Sequence, residues 1–259
     1  MSRLVWKTSR FVEIGEYRIP CSENLHDQTN QVSGIIRESK SKLLIRRISW
    51  PLTKIQYDMF VDGFIEWTIG KWIKEYVRRD SVFLEVGCGD MRLARYLPLG
   101  VAYNAFDLAF SEFNLRRALH GKRDLNVALA SASDIPLDDD SVSIVVSTEC
   151  FEEIPDINQA MREIRRICRP GAVMLCSIPN GFCLKYRTKG PHRRNFHSWS
   201  FDGFKTLAEK HGFVLSRSCM RGFWIPLPPS IVKTSYQLPI TSETEHLNTN
   251  FFYVFTKAE

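Results

Sequence analysis

The stretch Leu84-Glu85-Val86-Gly87-Cys88-Gly89-Asp90-Met91 decides how this chain is read. Residues 82–86 form a short apolar run of strand character, and residues 92–97 read as a short helix stopped by Pro98 and Gly100. Between them, two glycines one residue apart let backbone approach a ligand where side chains would obstruct. Twenty residues past Gly87, Asp107 ends the next strand, residues 101–107, where a carboxylate accepts hydrogen bonds from a ribose diol. Strand, Gly-x-Gly, helix and a spaced acid together predict a nucleoside-bearing cofactor.

The same rhythm continues outward. Ser111 is placed to cap a helix with Leu115, Ala118 and Leu119 on one face and Gly121 beyond its end. Residues 126–131 and 142–147 read as the third and fourth strands. Pro155 and Asp156 open a helix whose Ile157, Ala160, Met161, Ile164 and Cys168 share a face, and Pro170 with Gly171 ends it before a fifth strand over 172–178. Strands alternating with helices at these loop lengths predict a parallel sheet covered on both faces. Beyond residue 180 a basic loop, 181–198, precedes a helix over 201–210 capped by Ser200. Strands follow at 213–218 and 251–255, and they can pair antiparallel. Residues 1–80 lack this rhythm and read as a polar loop followed by amphipathic helical stretches over about 41–77, broken at Pro51. The expected division is therefore a helical N-terminal extension or cap (1–80), a binding core (81–180) and a substrate-side loop, helix and last two strands of the same sheet (181–259).

Composition narrows the class. Among 259 residues, 44% are hydrophobic and 25% charged, which excludes a disordered or fibrous chain. Charges interrupt the first twenty residues, and the longest uncharged stretch, 170–184, is short and broken by proline and glycine, so neither a signal peptide nor a membrane span is expected. Seven cysteines without a Cys-x-x-Cys pair argue against a disulfide framework or a zinc ribbon. Reduced thiols in the cytoplasm, and no metal, are the expectation. The net charge of +6 divides into +4 over residues 1–80, −4 over 81–180 and +6 over 181–259.

That acidic middle bears on the ligand. A dinucleotide would set its pyrophosphate on the helix N-terminus after the glycines. Here Glu85 and Asp90 flank the loop, and position 92, where a dinucleotide site has its third glycine, is Arg92. Two carboxylates disfavour phosphate and suit a cofactor bearing an ammonium and a sulfonium, which S-adenosyl-L-methionine does.

Residues 82–180 resemble the cofactor-binding core of the class I S-adenosylmethionine-dependent methyltransferases, in particular the broad small-molecule group that includes those of ubiquinone and menaquinone synthesis. The resemblance rests on the loop quoted above, Phe106-Asp107-Leu108, the run from Asp134 to Ser141, the run from Cys150 to Asp156, and Arg169-Pro170-Gly171-Ala172. It implies a Rossmann-like α/β fold with a seven-stranded, mostly parallel sheet whose last strand is antiparallel. It implies S-adenosyl-L-methionine as cofactor and S-adenosyl-L-homocysteine as product, held by Glu85, Gly87, Cys88, Gly89, Asp107, Leu108, Ala132, Ser133, Asp134 and Thr148. The chain departs from the family where Met91 replaces a third glycine, Ser131 replaces an acid after the third strand, and Phe151-Glu152-Glu153 replaces Leu-Glu-His.

Methyl transfer to oxygen needs alignment and a proton acceptor. Glu149 and Glu153, just past the fourth strand, are candidates for orienting the acceptor or taking its proton, although Glu152 and Glu153 also suit the first turn of a helix. Lys185, Arg187, Arg193 and Arg194 are candidate substrate-binding cations, with His192 and His197 as candidate bases in the same loop, which also reads as a solvated surface. These features predict a small-molecule acceptor: an anionic or phosphate-bearing metabolite, sugar or lipid-linked intermediate, methylated on oxygen. Alternatives are an RNA methyltransferase, disfavoured because no RNA-binding module is present, and a non-catalytic partner that kept the fold. Residues 40–54, basic and apolar, suit either a cap helix or peripheral contact with an anionic membrane.

Overall fold

The strand that leads into the glycine pair, β4 (Phe83–Val86), is buried along its whole length. In the computed structural model, which describes residues 3–25, 35–36, 63–120, 124–225 and 236–259, it lies inside a ten-stranded sheet. The strands are β1 (Arg10–Ile14), β2 (Tyr17–Cys21), β3 (Ile35–Ile36), β4, β5 (Tyr103–Asp107), β6 (Phe110–Ser111), β7 (Leu125–Leu129), β8 (Val142–Thr148), β9 (Cys168–Pro179), β10 (Phe213–Ile225), β11 (Tyr236–Thr241) and β12 (Asn248–Lys257). Five α-helices accompany them among the described residues: α1 (Gly63–Tyr76), α2 (Glu112–His120), α3 (Ile157–Ile167), α4 (Leu184–Lys189) and α5 (Phe201–Lys210).

The sheet order is β1-β2-β7-β5-β4-β8-β9-β12-β10-β11. From β7 to β9 every pairing is parallel, while β12 runs antiparallel to both β9 and β10. These seven inner strands carry the expected arrangement, including the antiparallel last strand. The count of seven is corrected by three further strands: β1 and β2 at one edge and β11 at the other. β3 and β6 make a separate two-stranded pairing.

Residues 10–21 add strands to the N-terminal extension, whose expected helical span over 41–77 is described only from residue 63 and carries α1 there. They form an antiparallel hairpin turning at Gly15, and β2 joins β7 through Cys21 and Leu129. Phe11 and Arg18 lie on its exposed side with the guanidinium over the ring, while Ile14, Ile19 and Cys21 are buried. The basic 181–198 loop contains the short helix α4. Residues 40–54 lie outside the described residues.

Two apolar layers hold the sheet. One face packs against α3 and α5 through Ile157, Ala160, Met161, Ile164, Phe204 and Ala208; the other packs against α1 through Ile65, Ile69, Trp72 and Ile73. The helix caps follow the sequence: Asp156 accepts from the Gln159 amide and Ser200 from the Gly203 amide. α1 is tied to the turn after the glycine loop by Glu66, which receives Arg92 at 3.0 Å and Arg95 at 2.5 Å. Because β12 is antiparallel, its first residues, rather than its last, stand at the carboxyl edge of the parallel strands, where open α/β sheets bind ligands.

Candidate functional site

The chain leaves β4 through Gly87 (φ 68°) and Gly89 (φ 45°), both in the left-handed region. The amides of Gly87 and Cys88 donate to the Phe106 carbonyl at 3.0 and 3.2 Å, folding the loop against β5. The Gly89 amide donates to Asp107 Oδ2 at 2.7 Å, fixing the carboxylate beside the loop. A Cβ at Gly89 would meet nothing within 4 Å, so the loop borders open space there. Burial pushes the Asp107 carboxyl up from its ordinary range, opposed by the amides of Gly89, Ala109 and Leu108. An anchored carboxylate with lone pairs to spare, an open glycine and no cation on the loop itself fit the ribose and the cationic end of S-adenosylmethionine.

Other expected cofactor residues are placed differently. Glu85 is 2% exposed and accepts a hydrogen bond from the Tyr103 hydroxyl. Burial raises its carboxyl to about 8, so it is largely protonated at neutral pH. Asp90 is bound by Arg92 at 3.0 Å and by Asn114 Nδ2 at 2.5 Å. The negative field at the loop is therefore weaker than two free carboxylates would give. Cys88 and Met91 are both 4% exposed and lie in the apolar layer beneath α1. Met91 takes a left-handed conformation (φ 55°), and its side chain packs into that layer.

Leu108, 42% exposed, follows Asp107 at the edge of β5. Ala132, Ser133 and Asp134 lie in the loop after β7, where Ser131 Oγ accepts from the Ser133 amide at 3.2 Å. Asp134 Oδ2 accepts from Ser22 Oγ at 3.1 Å and Asn24 Nδ2 at 2.9 Å, so the segment after β2 closes against this loop.

On the acceptor side, Thr148 ends β8 opposite Ser177 of β9. Glu149 follows with φ 50°, an uncommon conformation for a residue with a Cβ. Its Oε1 accepts from Ser177 Oγ at 2.7 Å and its Oε2 from Asn250 Nδ2 at 2.8 Å. Ser177 and Asn250 were not foreseen from sequence. The polar run Asn248-Thr249-Asn250 ahead of the aromatic Phe251-Phe252-Tyr253 carried a usable signal, since a strand start of that kind suits the carboxyl edge once β12 is antiparallel. Glu152 is 4% exposed, and its carbonyl accepts from the Phe196 and His197 amides at 2.8 and 3.2 Å. The sequence reading gave Glu152 no role in the chemistry.

Of the histidines, His192 is exposed, with Nδ1 4.0 Å from Glu153 Oε1. His197 Nε2 lies 2.9 Å from the Ile154 carbonyl and 3.1 Å from that of Pro155, and its ring stacks on Trp199 at 5.1 Å. It pegs the basic segment to the loop after β8. Lys185 and Arg187 lie on α4, and Arg193 and Arg194 follow it. Arg187, Arg193 and Arg194 are exposed and, like Lys185, make no ion pair among the described residues. Among the described residues no cluster of three His, Cys, Asp or Glu could hold a metal, and no helix is long and apolar enough to cross a membrane.

Residues 84–176 match the family model described as a methyltransferase domain. A probable S-adenosylmethionine-dependent methyltransferase of Mycolicibacterium smegmatis is 31% identical over 97 residues, covering 38% of this chain and 37% of that protein. The ubiquinone/menaquinone biosynthesis C-methyltransferase UbiE of Rickettsia massiliae is 29% identical over 120 residues, covering 40% and 48%. The chain thus spans half or less of the length of these two curated relatives. Among solved structures, a methyltransferase of Thermotoga maritima, described as a possible histamine N-methyltransferase, superposes with a TM-score of 0.55 at 19% identity, over 82% of this chain and 98% of that one. At that identity the likeness shows the fold. The core is that of a class I methyltransferase domain, and S-adenosylmethionine is the cofactor this domain implies.

Proposed function

We propose that this chain, whose core is a class I methyltransferase domain, transfers a methyl group from S-adenosylmethionine to oxygen of a small anionic or phosphate-bearing acceptor. The observation that carries the reading is the anchored Asp107 carboxylate beside the open Gly89. Bound there, the cofactor supplies a methyl group on a sulfonium. Asp107 would accept from the ribose hydroxyls, and Gly87 and Gly89 would give its chain room. Leu108 and residues 132–134 would border the base, and Thr148 would lie near the reacting centre. Glu149, held from both sides by Ser177 and Asn250, would orient the acceptor with its position fixed in advance. Lys185, Arg187, Arg193 and Arg194 would receive the anionic end of the acceptor from the rim. The seven free cysteines, five of them buried, support a reducing, cytoplasmic setting.

The test is incubation with methyl-labelled cofactor and a panel of hydroxy acids, sugar phosphates and transfer RNA. Label in an anionic hydroxyl compound is the expected result. Label in RNA alone, or cofactor binding without transfer to any acceptor, would overturn the proposed substrate class.

A further inference from the structure

Among the described residues, three buried side-chain polar atoms lack a hydrogen-bond partner, and one of them, Glu152 Oε2, stands beside the proposed acceptor site. Leaving such an atom unsatisfied costs about 1–3 kcal/mol, more when it is charged, so a site with a vacant acceptor position is built for an incoming donor. Its surroundings show where that donor would sit. Glu152 is on the single turn Phe151–Glu153 after β8, and the first charge acting on it is that of Glu149. Glu152 acts in turn on Cys150, whose sulfur lies against Gly87 of the cofactor loop, and on Tyr186 of α4. The Tyr186 hydroxyl shares a hydrogen bond with Asn195. Glu152 thus follows Glu149 and Cys150 in the segment after β8, and the basic segment is fastened to its carbonyl through Phe196 and His197.

We propose that Glu149 and Glu152 form one proton-accepting subsite, and that its ligand is the nucleophilic hydroxyl of the acceptor, donated to Glu152 Oε2. This inference rests on the methyltransferase reading and names the group that the reading leaves open. Two interacting acids, one of them buried, hold one proton and one negative charge together, since both cannot ionise cheaply. Burial and the Glu149 charge push the Glu152 carboxyl well up, while Ser177 and Asn250 donate to the two oxygens of Glu149. As oxygen is methylated, the O–H bond breaks, its electron pair stays on oxygen for the new O–CH3 bond, the proton goes to Glu152 Oε2, and the pair, which held one proton and one negative charge, becomes neutral. With the cations at the rim, the acceptor is a molecule with a hydroxyl at one end and an anionic group at the other.

Binding of 4-hydroxyphenylacetate, 4-methoxyphenylacetate and phenethylammonium, measured by calorimetry with saturating adenosylhomocysteine, tests the subsite on wild type, Glu152→Gln and Glu152→Leu. The hydroxyl compound is expected to bind at least about tenfold more tightly than the methoxy compound in wild type and in Glu152→Gln, whose amide oxygen still accepts, with the preference falling below about twofold in Glu152→Leu. Glu152→Leu should keep or raise Tm, because it removes an unsatisfied buried atom; a merely structural glutamate would lower it. Equal binding of the two acids, a preference that survives Glu152→Leu or is lost in Glu152→Gln, tightest binding by phenethylammonium, or no binding of any probe would overturn the subsite. Failure of adenosylhomocysteine itself to bind wild type would instead defeat the methyltransferase reading, and this inference with it.

Discussion

The sulfur of Cys150 occupies the space that a side chain on Gly87 would need: a Cβ at 87 would lie 2.2 Å from Sγ and 2.8 Å from the Cys150 Cβ. Gly87 also has φ 68°. Two independent constraints therefore demand glycine, one from backbone conformation and one from the loop after β8. Gly87→Ala is expected to cost about 2–4 kcal/mol of stability by urea unfolding and to abolish adenosylhomocysteine binding. Adding Cys150→Ala should recover part of the stability, because it removes the sulfur clash but not the left-handed backbone. No recovery in the double variant would show that packing contributes nothing.

Gly89 is the useful contrast. Its φ is 45°, but its Cβ direction is open. Gly89→Ala should cost no more than about 1–2 kcal/mol and leave a folded protein. Its methyl group would project into the space assigned to the cofactor, so affinity for adenosylhomocysteine should fall at least about tenfold, equivalent to 1.4 kcal/mol. Unchanged affinity would place the cofactor elsewhere.

Glu85 predicts a pH dependence. Burial raises its folded carboxyl from 4.5 to about 8. As pH rises, the unfolded chain loses this proton first, so the folded state holds more protons through the interval. Its contribution to stability is therefore full below about 4.5 and declines as pH climbs toward about 8, by on the order of 4 kcal/mol. Glu85→Gln keeps an acceptor for Tyr103 without a titrating group, and its unfolding free energy should fall less between pH 5 and pH 8 than that of wild type. Parallel slopes would show that Glu85 is ionised in the folded protein.

The central sheet was legible because its strands are apolar runs, such as Val142 to Ser147 and Ala172 to Ile178, separated by helices with recognisable caps at Asp156 and Ser200. The hairpin β1-β2 was not. Its five-residue strands carry Arg10, Glu13 and Arg18 on a partly exposed edge, and the alternation is too short to outweigh charge. On the polar side of α3, Arg166 reaches the carbonyls of Ile135 and Leu137 and pairs with Glu163 and Asp139, while Arg165 bonds to the Gly212 carbonyl. A helical pattern shows which face is polar, not which loops fold over it. That Gly89 and Asp107 come together was readable because adjacent parallel strands end together. The contacts of Glu149 with Ser177 and Asn250 depend on register across β8, β9 and β12, which no local pattern encodes.

The most direct test of the central claim is calorimetric titration of adenosylhomocysteine into wild type and Asp107→Ala. The account predicts one-site binding to wild type and a loss of at least about tenfold in the variant, equivalent to 1.4 kcal/mol or more, at unchanged helix content. No binding to wild type, or equal binding to both proteins, would contradict the assignment of Asp107 and the glycine loop as the cofactor site.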